Sequence, residues 1–154
     1  MKRRVTGVLA FAFALALVAS ACSSKSSNTT SPTGAPTSTA TSGEGCGTLT
    51  VDGLTLNDHG TKDVSGGGSV KVEVDSFYFN PTVFTGHAGD KLTLQLSNES
   101  SVPHNFSLTD QSVDQDIQPG GKVTVTVTFP QSGSVVFFCK FHQASGMRGA
   151  LEVE

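Results

Sequence analysis

No stretch of this chain is apolar for long enough to cross a bilayer comfortably as a helix. The longest apolar run, Val8 to Ala19, falls short of the about 20 residues a span requires. A convincing helical period is absent too, so a helical bundle is not expected. Metal-binding residue types are scarce: 3 cysteines, 4 histidines and 2 methionines in 154 residues. Four histidines are too few for several metal centres, and no tract is rich in histidine or methionine. Multi-centre metalloenzymes are thereby set aside, and no enzyme is expected. Basic residues are few as well. Of the 10 present, Lys2, Arg3 and Arg4 lie at the extreme N-terminus, leaving 7 against 13 acidic residues, net −6. That balance argues against nucleic acid as a partner and suits solubility and a basic protein partner.

What is present begins with an export signal. Lys2-Arg3-Arg4 precedes the apolar run, and small residues, Ala19-Ser20-Ala21, lead to Cys22. Residues 1–21 are therefore expected to be a signal peptide. A cysteine at this place resembles the lipobox of bacterial lipoproteins, which implies lipidation of Cys22 and anchorage to the cell membrane. Ala19-Ser20-Ala21 equally fits ordinary cleavage, which would yield a secreted chain. Residues 22–47 are mostly Ser, Thr, Gly, Pro and Ala, with almost no large apolar side chain. They cannot bury enough surface to offset their ordering entropy, and are expected to form a disordered stalk.

From residue 48 onward the pattern is that of strands. Alternating apolar residues flank Asp52-Gly53, a strong hairpin signal, so 48–69 is expected to be an N-terminal hairpin and loop extension. Asn57 to Ser69 within it has loop-like sequence. In 70–154, Val70, Val72 and Val74 alternate with polar residues, as do Leu92, Leu94 and Leu96, and Val123, Val125 and Val127. Val135 to Phe138 is a continuous apolar run, as in a strand buried on both faces. Gly-containing turn signals separate these runs. The expected fold class is all-β, a two-sheet β-sandwich.

The chemistry is concentrated near the C-terminus. Cys139 is followed three residues later by His142 and five later again by Met147, and His104 stands 35 residues before Cys139. One thiolate, two imidazoles and a thioether are soft to intermediate ligands. A trigonal His2Cys set with a weak axial Met suits copper and is the blue-copper arrangement. Structural zinc prefers four strong ligands, commonly with two or more cysteines. The expected ligands of one type 1 copper ion are His104, Cys139, His142 and Met147.

At these residues the chain resembles the cupredoxins, and plastocyanin in particular. Pro103-His104-Asn105, the C-x-x-H-x-x-x-x-M loop closed by Gly146-Met147, and Phe77-Tyr78-Phe79-Asn80-Pro81 carry the likeness, which spans Val70 to Glu154. The resemblance implies a Greek-key sandwich and single-electron transfer between protein partners outside the cytoplasmic membrane. It implies that Asn105, with Pro103, braces the two ligand loops, and that an exposed edge of His142 within an apolar patch is the electron port. This chain departs from plastocyanin in having Phe138 where tyrosine precedes the copper cysteine. It also has Lys140-Phe141 in place of Ser-Pro, which sets a positive charge beside the site.

Two alternatives belong beside this reading. Copper binding for delivery or storage outside the cell uses the same ligands, and the rate of copper loss to a chelator separates it from electron transfer. A Cys46–Cys139 disulfide suits an exported protein, but leaves the spacing of His142 and Met147 unexplained. His59 and His87, each beside glycine, are read as surface residues.

Overall fold

The computed structural model describes residues 47–154. The signal peptide, the stalk through residue 46, Cys22 and Cys46 lie outside the described residues.

Twelve strands make up the described chain, joined by turns and two short 3₁₀ segments, Thr109–Gln111 and Gln143–Ser145. One sheet has β4 (Gly68–Asp75), β5 (Tyr78–Asn80), β7 (Lys91–Asn98) and β10 (Lys122–Thr128), in the order β10-β7-β4-β5. The second has β3 (Thr61–Asp63), β6 (Val83–Gly86), β8 (His104–Leu108), β9 (Val113–Ile117), β11 (Ser134–Phe138) and β12 (Arg148–Val153), in the order β3-β6-β12-β11-β8-β9. Most pairings are antiparallel, but β4 runs parallel to β7, and β6 runs parallel to both β12 and β3. These crossovers between sheets make the Greek-key sandwich.

The alternation of side chains explains the core. Successive residues on a strand point to opposite faces, so Val70, Val72 and Val74 of β4 and Leu92, Leu94 and Leu96 of β7 turn inward together. Against them lie Phe84, Phe106, Leu108, Ile117, Phe137 and Leu151 from the other sheet. Each such buried side chain contributes roughly 1.5–3 kcal/mol of transfer free energy. Phe137 sits at the centre, its ring 4.9 Å from Phe106 and 5.2 Å from Phe79. Cys139 and Met147 belong to this same core.

The run Val135–Phe138 forms β11, but only Phe137 is fully buried, and its neighbours are half-buried. The strand is central in its sheet, yet only one face meets the main core. On the other face Val136 packs against a small second cluster of Val51, Leu56, Val83 and Ala150. That cluster is supplied partly by the hairpin of β1 (Gly47–Val51) and β2 (Leu54–Asp58). Its turn holds Asp52 at φ 50° and Gly53 at φ 77°, as a two-residue type I′ loop requires. Segment 48–69 also contributes β3, paired with β6, and Leu56, which is fully buried.

Candidate metal centre

Antiparallel pairing of β8 with β11 sets Phe138 opposite Ser107, so the residue leaving β11 lies beside those entering β8. Cys139 and His104 are thereby brought together from 35 positions apart. His142 joins them because the chain turns back at once: its N–H donates to the Cys139 carbonyl (3.0 Å). Cys139 Sγ lies 4.0 Å from His104 Nδ1 and 3.5 Å from His142 Nδ1. All three candidate ligand atoms fall within 4.8 Å of one another, and theirs is the sole such group among the described residues.

These separations fit a single ion. With bonds of about 2.0–2.1 Å to nitrogen and 2.3 Å to sulfur, sulfur and nitrogen in a trigonal plane stand about 3.8 Å apart. Cys139 is a fully buried thiol, free among the described residues. His104 is fully buried and His142 half-buried. Met147 is fully buried, and its carbonyl accepts the Cys139 N–H (3.0 Å) while its own N–H donates to the His142 carbonyl (3.3 Å). The four expected ligands therefore sit on one short, internally hydrogen-bonded loop and one strand start.

The surroundings prepare the histidines. His104 Nε2 is 2.9 Å from Ser100 Oγ. That hydroxyl has one proton, directed to Asn98 Oδ1 (2.9 Å) or the Val102 carbonyl (3.1 Å). With its proton so placed, the hydroxyl oxygen accepts from His104 Nε2–H, the tautomer that leaves Nδ1 as a lone pair facing Cys139. Burial, and secondarily the nearby His142, holds the His104 ring below the ordinary histidine pKa, favouring the neutral form that a ligand must have.

Asn105 reaches across the site. Its Oδ1 accepts from Ser107 Oγ (2.6 Å) and from the Lys140 N–H (3.3 Å), next to Cys139. Its Nδ2 donates to Asp114 (2.7 Å) and Asp116 (2.9 Å) on β9. Lys140 Nζ bridges those same carboxylates at 2.8 and 2.7 Å. Its hydrogen bonds lower both aspartates below the usual carboxylate range, and they in turn raise Lys140. The positive charge anticipated beside the site is thus met by two negative charges. Pro103 is exposed just before His104.

Two exposed aromatic side chains, Phe77 and Phe141, lie beside His142. Phe77 is 38% exposed, Val102 37% and Phe141 51%. The Phe77 ring lies 4.5 Å from that of His142, and the Phe141 ring 6.3 Å. Sequence reasoning did not single out Phe77 or Ser100 for the site, since neither carries a spacing signal. His87 is 66% exposed beside Asp90, whereas His59 is half-buried and stacked 3.6 Å from Tyr78. Neither histidine joins the cluster.

Residues 53–153 match the family described as the Cupredoxin-like domain. Plastocyanin B'/B'' of Nicotiana tabacum is 29% identical over 87 residues, covering 49% of this chain and 86% of that protein. Plastocyanin of Sambucus nigra is 29% identical over 93 residues, covering 53% and 92%. Among solved structures, the metal-binding domain of the Cu(I)-exporting P-type ATPase of Streptococcus pneumoniae D39, with Cu(I), superposes with a TM-score of 0.51 at 12% identity, covering 61% of this chain and 95% of that one. At that identity the likeness concerns the fold.

Proposed function

Because the chain belongs to the cupredoxin-like family through residues 53–153, we propose that it is a type 1 copper protein that carries single electrons outside the cytoplasmic membrane. The observation that carries this reading is the convergence of His104 Nδ1, Cys139 Sγ and His142 Nδ1 within 4.8 Å, with Met147 buried beside them. Bound copper would supply the one-electron couple, and thiolate with imidazole serves both of its oxidation states.

The chain's own residues do the rest. The sandwich holds the loop ends, so the ligand positions change little when charge changes. Asn105 ties the Cys139 side of the loop to β8 and β9, and Ser100 orients His104. Phe77 and Phe141 flank the half-buried ring of His142, where a redox partner would make a brief, small contact. Cys22 would carry a lipid anchor, with residues 22–46 as the stalk holding the domain away from the membrane.

The test is an absorption spectrum of the purified chain with added copper(II). Wild type is expected to turn intensely blue and to bleach reversibly on reduction, while Cys139→Ala stays colourless. A wild-type adduct lacking the intense band, or a band that persists in Cys139→Ala, would contradict the reading.

A further inference from the structure

Asn57, at the start of a segment whose sequence is loop-like, lies in β2 and makes an unusual set of connections. Its side-chain Nδ2 donates to the Phe77 carbonyl (2.8 Å) and to the Ser145 carbonyl (2.9 Å). Both acceptors are carbonyl oxygens, so only the NH2 end of the amide can face them. Its main-chain N–H donates to the Gly146 carbonyl (2.9 Å), and its own carbonyl accepts from Thr82 Oγ1 (3.0 Å). Three of these four bonds end beside the metal centre. Phe77 packs on the His142 ring, and Ser145-Gly146 lies immediately before Met147. A second tie runs alongside, from Arg148 Nη1 to the Thr55 carbonyl (3.2 Å).

The contact leaves no slack. Gly146 has φ 83°, and a Cβ built on it would come within 2.6 Å of Asn57 Oδ1. The loop therefore lies directly against Asn57 at the one step where the backbone turns left-handed. Residues on either side of this step, His142 and Met147, are two of the four expected ligands.

We infer that Asn57 is a positioning residue for the ligand loop, fastening the His142–Met147 half of the site much as Asn105 fastens the Cys139 half. The N-terminal hairpin is then a working part of the metal centre. The effect on copper rests on the blue-copper reading, whereas the effect on loop order rests on these hydrogen bonds alone.

The experiment compares the full chain as wild type, Asn57→Ala, Asn57→Asp and Val51→Ala. Val51 is buried on the same hairpin and stands as a control for simple loss of stability. Two quantities are read: amide hydrogen exchange at Ser145 to Met147 in copper-free protein, and the rate of copper loss to a chelator from loaded protein. Orienting partners of ligands commonly govern metal affinity by 10–100-fold. Asn57→Ala and Asn57→Asp are therefore expected to speed both by about tenfold or more, with Val51→Ala close to wild type in both. Asp is isosteric but turns an acceptor toward two carbonyls, so it separates hydrogen bonding from packing. Wild-type behaviour of Asn57→Asp, or equal acceleration by Val51→Ala, overturns the inference. Should the wild type bind no blue copper, the functional reading fails, and the exchange data still decide the role of Asn57.

Discussion

His104 illustrates how much of the site depends on single polar contacts. Its ring is fully buried, and a buried imidazole can rotate or change tautomer unless its far nitrogen is held. Ser100 holds it, and Ser100 is held in turn by the buried Asn98. Ser100→Ala is expected to keep the blue colour but to shift the absorption and spin-resonance parameters and to weaken copper binding by about 10–100-fold. Ser100→Thr, which keeps the hydroxyl, is expected to restore both. Spectra and chelator competition on the three proteins check this, and an unchanged Ser100→Ala would remove Ser100 from the site's frame. At this scale the candidate ligands were legible in the sequence, because Cys139, His142 and Met147 follow one another at short, fixed spacing. Ser100, Phe77 and Asn57 were not. A serine four residues from a histidine is ordinary sequence, and Asn57 meets Ser145 across 88 positions.

Strands were readable wherever one face is buried and the other wet. Val70–Val74, Leu92–Leu96 and Val123–Val127 show the period of two and form β4, β7 and β10. Val135–Phe138 was legible as a strand but not in its burial, because a continuous apolar run does not reveal what covers each face. The pairing of β11 with β12 adds a constraint of its own. Gly149 stands opposite Phe137, and a Cβ there would collide with the Phe137 ring and the Thr82 carbonyl. Neither can yield, since the ring is wedged between Phe79, Phe84 and Phe106. Gly149→Ala is expected to cost about 1–3 kcal/mol by overpacking, lowering the denaturant midpoint with little change in slope. Unchanged unfolding would show that this packing is looser than the geometry indicates.

At the scale of the described molecule, carboxylates shifted in opposite directions make stability depend on acidity. Asp114 and Asp116 are lowered by Lys140 and Asn105, so the native state favours their charged forms. Their contribution is present above the ordinary carboxylate range, about pH 4, and is lost as pH falls through their lowered values. Glu152 is raised, first by burial and then by Asp52, so the native state favours its protonated form. Its penalty grows as pH rises through the raised value and is complete above it. Glu152→Gln is accordingly expected to raise the melting temperature of the copper-free protein at pH 7 and to leave it unchanged below about pH 4. Melting curves at the two pH values check this, and an equal shift at both would contradict it.

By itself the sequence determined the all-β class, the donor set of the candidate site and the loop that carries most of it, since each is written in local periodicity, residue type or short spacing. Tertiary structure alone decided which distant segments brace that loop. Pairing of β8 with β11 brings His104 to Cys139, Asp114 and Asp116 meet Lys140, and β2 carries Asn57 to Gly146. Those contacts are single hydrogen bonds or ion pairs between residues far apart in the chain. Nothing in residue order encodes them until the buried faces of the two sheets have set the strand register.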